Sequence, residues 1–155
     1  MKKIFFGVFC LFTVVSVFGI DSFFAGVGNE LNGNSYNNMV ISVDLTLGLD
    51  VNSFFCVAAK SSFHNDLNNV NVIEPRLLLR TYLSTGRVRP FIQTEGGCVI
   101  ISIYDETHFM ISAGLTTGCR FNFSRFIYLE PAFRLGYPYL WGAGVTAGLR
   151  FAKEK

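Results

Sequence analysis

The chain has 155 residues, half of them hydrophobic and only 15% charged, with 17 Phe and a formal net charge of +2. That length suits one domain and is short for two. So little charge excludes a basic nucleic-acid-binding protein, and so much Phe is out of place in a small cytosolic enzyme.

The first segment reads as a secretory signal peptide. Lys2 and Lys3 precede an apolar run from Ile4 to Val17, and Val17-Phe18-Gly19 offers a cleavage site after Gly19. The run is short for a membrane-spanning helix, which needs ~20 residues. Cys10 lies inside it without a lipobox, so a lipid anchor is not expected. Removal of residues 1–19 leaves a single domain, 20–155, with 11 basic and 11 acidic residues. Three cysteines remain in it: Cys56, Cys98 and Cys119. An odd count makes a poor disulfide framework, and they read as small apolar strand residues; whether one pair bridges stays open.

Beyond Gly19 no stretch has 18 consecutive apolar residues, so no helical span is expected. Period two recurs instead, the mark of strands with one apolar face. In 39–50, Ile41, Val43, Leu45, Leu47 and Leu49 alternate with Ser42, Asp44, Thr46, Gly48 and Asp50. The same alternation marks strands at 110–122 and 141–151. The remaining runs give strands near 20–28, 53–62, 71–83, 89–102 and 126–136, which makes eight. Each is close to the ~9–11 residues of a tilted membrane strand. Short connections are expected at Asp50–Ser53, Ser84–Val88 and Phe123–Arg125. Longer, Asn-rich loops are expected at Asn29–Asn38, Phe63–Val70, Ile103–Phe109 and Tyr137–Leu140. This is the stringing of an all-β, eight-stranded antiparallel up-and-down transmembrane β-barrel, with both termini on the periplasmic side.

The polar face decides which side is inside. A face turned to water should be rich in Lys, Glu and Asp. Here it is rich in Gly, including Gly26, Gly28, Gly48, Gly97, Gly114, Gly118, Gly136, Gly142, Gly144 and Gly148. An eight-stranded barrel is just wide enough for its own side chains, so small residues belong in its lumen. Charges of both signs share that face: Lys60, Arg76, Arg80, Arg120, Arg134 and Arg150 with Asp44, Glu74, Glu95 and Glu130. Gln93, Tyr82 and Tyr128 should lie among them. Buried charges need partners, so an interior network of Arg–carboxylate pairs is expected. Phe121, Phe123, Phe126, Tyr137, Tyr139, Trp141 and Phe151 sit near strand ends, where aromatic girdles belong. Pro75, Pro90 and Pro131 should each mark a bulge or a strand start, since a closed barrel has no free edge. Pro75 and Pro131 each follow a Glu.

With these segments read, the chain resembles a known family. The segment "IYLEPAFRLGYPYLWGAGVTAGLRF" (127–151), the signal peptide and "RVRPFIQTEGG" (87–97) resemble the small eight-stranded outer-membrane barrels of treponemes and related spirochaetes. More distantly the chain is similar to the OmpA, OmpX and OmpW group. The resemblance implies residence in outer-membrane lipid and insertion by the outer-membrane assembly machinery, which reads the last strand. Phe151 would be the closing aromatic, although "AKEK" follows it. The family implies no catalytic residues.

No phosphate loop, Cys-x-x-Cys or metal-spaced His cluster is present, so no enzyme activity, cofactor, metal or nucleic-acid partner is expected. His64 and His108 fall in predicted loops near Asp66 and near Asp105 and Glu106, and read as solvated loop residues. Three functions stay open. One is a structural or surface-exposed barrel with a charge-plugged lumen, possible partners at its loops being an extracellular or host ligand. The second is a narrow, anion-leaning solute channel. The third is a soluble, lipocalin-like periplasmic barrel holding an apolar ligand.

Overall fold

The computed structural model describes residues 20–33, 39–66, 70–103 and 106–152. The expected signal peptide, 1–19, lies outside them. Eight strands occur in chain order: β1 (Ser22–Gly33), β2 (Met39–Asp50), β3 (Phe55–Asp66), β4 (Val70–Tyr82), β5 (Val88–Ile103), β6 (Glu106–Asn122), β7 (Ile127–Tyr137) and β8 (Trp141–Ala152). Every strand pairs antiparallel with its chain neighbour, and β8 closes on β1 from Ser22↔Ala152 to Gly33↔Trp141. The sheet therefore has no edge strand.

Alternation sets the facing. On β2, Ser42, Asp44, Thr46, Gly48 and Asp50 are buried, whereas Val43, Leu45 and Leu47 are about half exposed on the outer wall. Leu77, Leu79, Ile92, Ile127, Phe133 and Leu149 continue that outer wall. A one-residue slip of any strand would exchange the two faces, so the pattern pins the register.

Three strands run further than their sequence pattern suggests. β1 continues through Gly33, β3 through Asp66, and β6 begins at Glu106. The connections on that side shrink to residues 34–38, 67–69, 104–105 and 138–140, and all but the first are shorter than the opposite turns. The physical reason is that Asn, Glu and His facing a polar lumen look like loop residues in a linear reading. We call the side with turns 51–54, 83–87 and 123–126 the turn end, and the other the loop end.

The prolines behave differently from one another. Pro90 is the third residue of β5, a strand start. Pro75 and Pro131 sit mid-strand without a bulge. The β4–β5 register is unbroken from Ile73↔Ile100 to Arg76↔Gly97, and the β6–β7 register from Gly118↔Ala132 to Phe121↔Leu129. Two rungs are missing in each place and no residue is inserted. Proline has no N–H to give on that side, while its other neighbour is kept as Ser61↔Pro75 and Pro131↔Val145.

Each gap is faced by a Gly-Cys pair, Gly97-Cys98 and Gly118-Cys119. A β-carbon on Gly97 would run into the Pro75 carbonyl oxygen and lie 2.9 Å from the Arg76 α-carbon. Its neighbour Gly96 is open, with nothing nearer than 4.0 Å. Gly97→Ala should therefore cost about 1–3 kcal/mol, because backbone atoms cannot step aside. Gly96→Ala should be neutral or stabilising, since Gly weakens a strand. Urea midpoints in detergent check this, and equal midpoints for the two variants would contradict the close approach.

Candidate functional site: the charged barrel lumen

Because inward positions recur every second residue, all eight strands send polar side chains into one lumen. They form two ionic clusters. The one toward the loop end contains Glu30, Asp44, Glu74 and Glu95 with Lys60, Arg76 and Arg134. Lys60 Nζ lies 2.9 Å from Asp44 Oδ2 and also donates to Glu30. Arg76 Nη1 donates to Glu95 Oε1 at 2.9 Å, and its Nη2 donates to Ser62 Oγ at 2.6 Å. Arg134 Nη2 donates to Glu74 Oε1 at 3.0 Å, and its Nε pairs with Glu95. Ser112 donates its hydroxyl to Glu74, and Ser42 Oγ donates to Asp44 Oδ1 at 2.9 Å.

The cluster toward the turn end has the opposite balance. Asp50 and Glu130 face Arg80, Arg89, Arg120 and Arg150. Arg80 Nη1 is 2.9 Å from Glu130 Oε1, its Nε donates to Gln93 Oε1 at 2.9 Å, and Arg120 also pairs with Glu130. Asp50 accepts from Ser22 Oγ at 2.6 Å and from the Tyr82 hydroxyl at 3.3 Å. Three guanidinium groups reach the same carboxylate, from Arg150, Arg89 and Arg120 at 3.2, 3.5 and 3.6 Å. Arg89 Nη2 donates to the Ser53 carbonyl at 2.7 Å.

Aromatic rings take up part of this cationic excess. Phe24, Tyr82, Phe91 and Tyr128 are all buried in the lumen, packed with Leu78, Cys56 and Ala58. The Arg120 guanidinium lies 4.1 Å from the Phe24 ring centre and 4.4 Å from that of Tyr128; Arg89 lies 3.6 Å from Tyr82, and Arg80 3.9 Å from Phe91. Such stacking stabilises a desolvated cation where carboxylates are too few. Gly48 makes the room, since a side chain there would collide with the Phe24 ring.

Between the clusters lies a cavity of about 40 Å³ lined by residues such as Asp44, Thr46, Arg80, Gln93, Thr116 and Thr146. That volume has room for a few waters at roughly 10–15 Å³ each.

The structure places all ten sequence-named charges in these clusters: Asp44, Lys60, Glu74, Arg76, Arg80, Glu95, Arg120, Glu130, Arg134 and Arg150. Arg150 is the most open of them, at the turn end. The sequence reading misses Glu30, Asp50 and Arg89 as members. Their signal is the phase: Glu30 follows Phe24, Gly26 and Gly28, Asp50 follows Asp44, Thr46 and Gly48, and Arg89 precedes Phe91, Gln93 and Glu95.

The histidines depart from expectation. His64 lies within β3, buried, its ring 5.5 Å from that of Tyr139. Tyr139 therefore turns over the loop-end mouth rather than joining a girdle, and burial raises its phenol above the ordinary value. His108 lies in β6, exposed, 3.5 Å from Glu106. The two sit three strands apart. Among the described residues no three His, Cys, Asp or Glu are placed to hold a metal ion. Cys56 faces the core, and Cys98 and Cys119 lie far apart along β5 and β6; all three are free thiols.

No family model matches the chain, and no curated protein matches its sequence. Solved structures do share its architecture. The N-terminal β-barrel domain of Pseudomonas aeruginosa OprF superposes with a TM-score of 0.66 at 14% identity, over 84% of this chain and 98% of that one. Neisserial surface protein A gives 0.61 at 13% identity, over 85% and 96%. Ail, the attachment invasion locus protein of Yersinia pestis, gives 0.54 at 11% identity, over 86% and 99%. At such identities the likeness is one of fold: a closed, eight-stranded antiparallel barrel.

Proposed function

We propose that this protein is an outer-membrane β-barrel whose interior is a rigid ionic plug and whose loop end faces out of the cell. The filled lumen carries the reading. Charged and aromatic side chains from all eight strands occupy it, and the 40 Å³ cavity between the clusters is too small for a solute. The outer wall supports the membrane setting. Leucine, isoleucine, valine and phenylalanine ring the barrel, half or more exposed, far beyond the apolar patch that a soluble monomer leaves bare. A soluble barrel for an apolar ligand needs the opposite facing, with charges outside and an apolar hollow inside.

The other parts of this reading follow from the sequence: export through a signal peptide cleaved after Gly19, insertion by the outer-membrane assembly machinery, kinship with spirochaetal barrels, and a ligand, if any, met at the loop end. No catalytic role is assigned to any residue.

Planar-bilayer recording tests the plug. The refolded protein should insert without conductance steps. Regular steps with anion preference would replace the plug by the channel reading.

A further inference from the structure

The outer wall carries one side chain at odds with a lipid setting. On the contiguous strands β7, β8, β1 and β2 the outward positions hold aliphatic residues, Phe, Met, Pro131 and Gly33, with Trp141 and Tyr137 at the loop end. The exception is Asn29, exposed on β1 between Val27 and Leu31. It pairs with Val43 on one side and Val145 on the other, so its row is apolar too.

Asn29 stands deep in the apolar band. On β1 the turn-end girdle is marked by Phe23, whose ring lies 6.3 Å from that of Phe151, and the loop-end girdle by Gly33, the partner of Trp141. At ~3.3 Å per residue and a tilt of roughly 40°, Asn29 is about 15 Å from the first and about 10 Å from the second. So short a side chain does not reach water from there. An amide has two donors and an acceptor to satisfy, and hydrocarbon satisfies none of them. On the other half of the barrel the Thr117 hydroxyl also faces outward, but it donates to the Phe91 carbonyl at 3.3 Å. The Asn29 amide has no such partner among the described residues.

The wall on either side of β1 is uneven. β8 turns Ala143, Val145 and Ala147 outward, whereas β2 turns out Ile41, Val43, Leu45 and Leu47. A hollow of about 520 Å³ results over Ala143 and Ala147, with Asn29 in its lining. Ile41, 69% exposed, stands proud on the opposite flank.

We propose that this face seats a second copy of the chain, in a two-fold dimer centred on β1 in which the two Asn29 amides bond each other. An amide is its own complement, donor to acceptor in both directions, and no charge on this face calls for a charged partner. Two barrels inserted the same way up are related by an axis along the membrane normal, so residues of equal height meet and Asn29 faces Asn29. The same axis sets β8 of one copy against β2 of the other, so the hollow over the alanines receives the bulky β2 side chains. Small residues at such a contact let the walls come close enough for side-chain hydrogen bonds in lipid. The proposal rests on the membrane reading above.

The test uses the full folded barrel in density-matched detergent micelles, with reductant present because its cysteines are free. Heat-modifiable mobility and insertion into phosphatidylcholine vesicles are scored first; failure there removes the membrane reading and the dimer with it. Given insertion, sedimentation equilibrium at rising protein-to-micelle ratio should show a reversible dimer. Asn29→Val should raise its dissociation constant about tenfold, the worth of one or two side-chain hydrogen bonds in lipid. Ala143→Phe should weaken it as well, by filling the hollow without touching the amide. Both substitutions lie on the outer wall, so both variants should keep heat-modifiable mobility. A wild-type barrel that stays monomeric at every ratio, or a dimer that either variant leaves unchanged, would overturn the proposal while leaving the barrel reading intact.

Discussion

Glu130→Ala lowers the unfolding free energy by about 3–5 kcal/mol, the usual result of removing one partner from a buried ion pair. Glu130 is buried and holds two guanidinium groups, Arg80 at 2.9 Å and Arg120. Without it, Arg80 keeps Gln93 and the Phe91 ring, and Arg120 keeps the distant edge of Asp50 at 3.6 Å. Neither substitute neutralises a charge so far withdrawn from bulk water. The turn-end cluster, already rich in arginine, becomes still more positive. Urea unfolding in detergent reads the loss as a lower midpoint. A companion variant separates charge from packing: replacing Arg80, Arg120 and Glu130 together by Met, Met and Leu should recover much of the stability, as apolar replacement of whole buried networks often does. A Glu130→Ala loss below about 1 kcal/mol would mean that water enters the lumen freely, and the plug reading would fall with it.

Leu45→Arg should cost about 2–4 kcal/mol and impair insertion, because Leu45 lies mid-strand on the outer wall, about half exposed there. Its neighbour Thr46 points the other way, buried on the wall of the lumen cavity opposite Lys60. Thr46→Arg therefore acts through crowding and like-charge repulsion inside the barrel. The bilayer distinguishes the two. The Leu45→Arg penalty should change with the hydrocarbon thickness of the vesicles, and the Thr46→Arg penalty should not. Matching thickness dependence in both variants would show that the facing is wrong.

Two Glu-Pro steps illustrate how a short motif acquires meaning from its neighbours. In both, the Glu faces the lumen and binds two arginines, Arg134 and Arg76 for Glu74, Arg80 and Arg120 for Glu130. The following Pro breaks two rungs of the ladder without shifting register, and a Gly on the paired strand lets the backbones close in. The motif is visible in sequence. Its Gly-Cys counterpart is not, because the pairing strand lies 21 or more residues away in one case and upstream in the other.

Alternation alone determined a great deal: eight strands, a closed barrel, an apolar outer wall and the ten charges that line the lumen. It could do so because the side-chain period of a strand is fixed and each strand must keep one face in each environment. The tertiary structure alone decided where strands end and which charges meet. Glu30, His64 and Arg89 look like loop or rim residues in a line of text, and only the lumen makes a polar side chain an inward one. Net charge was near balance along the chain, yet closure of the barrel gave the turn-end cluster an excess of arginine and the loop-end cluster an excess of carboxylate. That sorting comes from antiparallel pairing, which sets residues distant in sequence at the same height, and no local pattern encodes it.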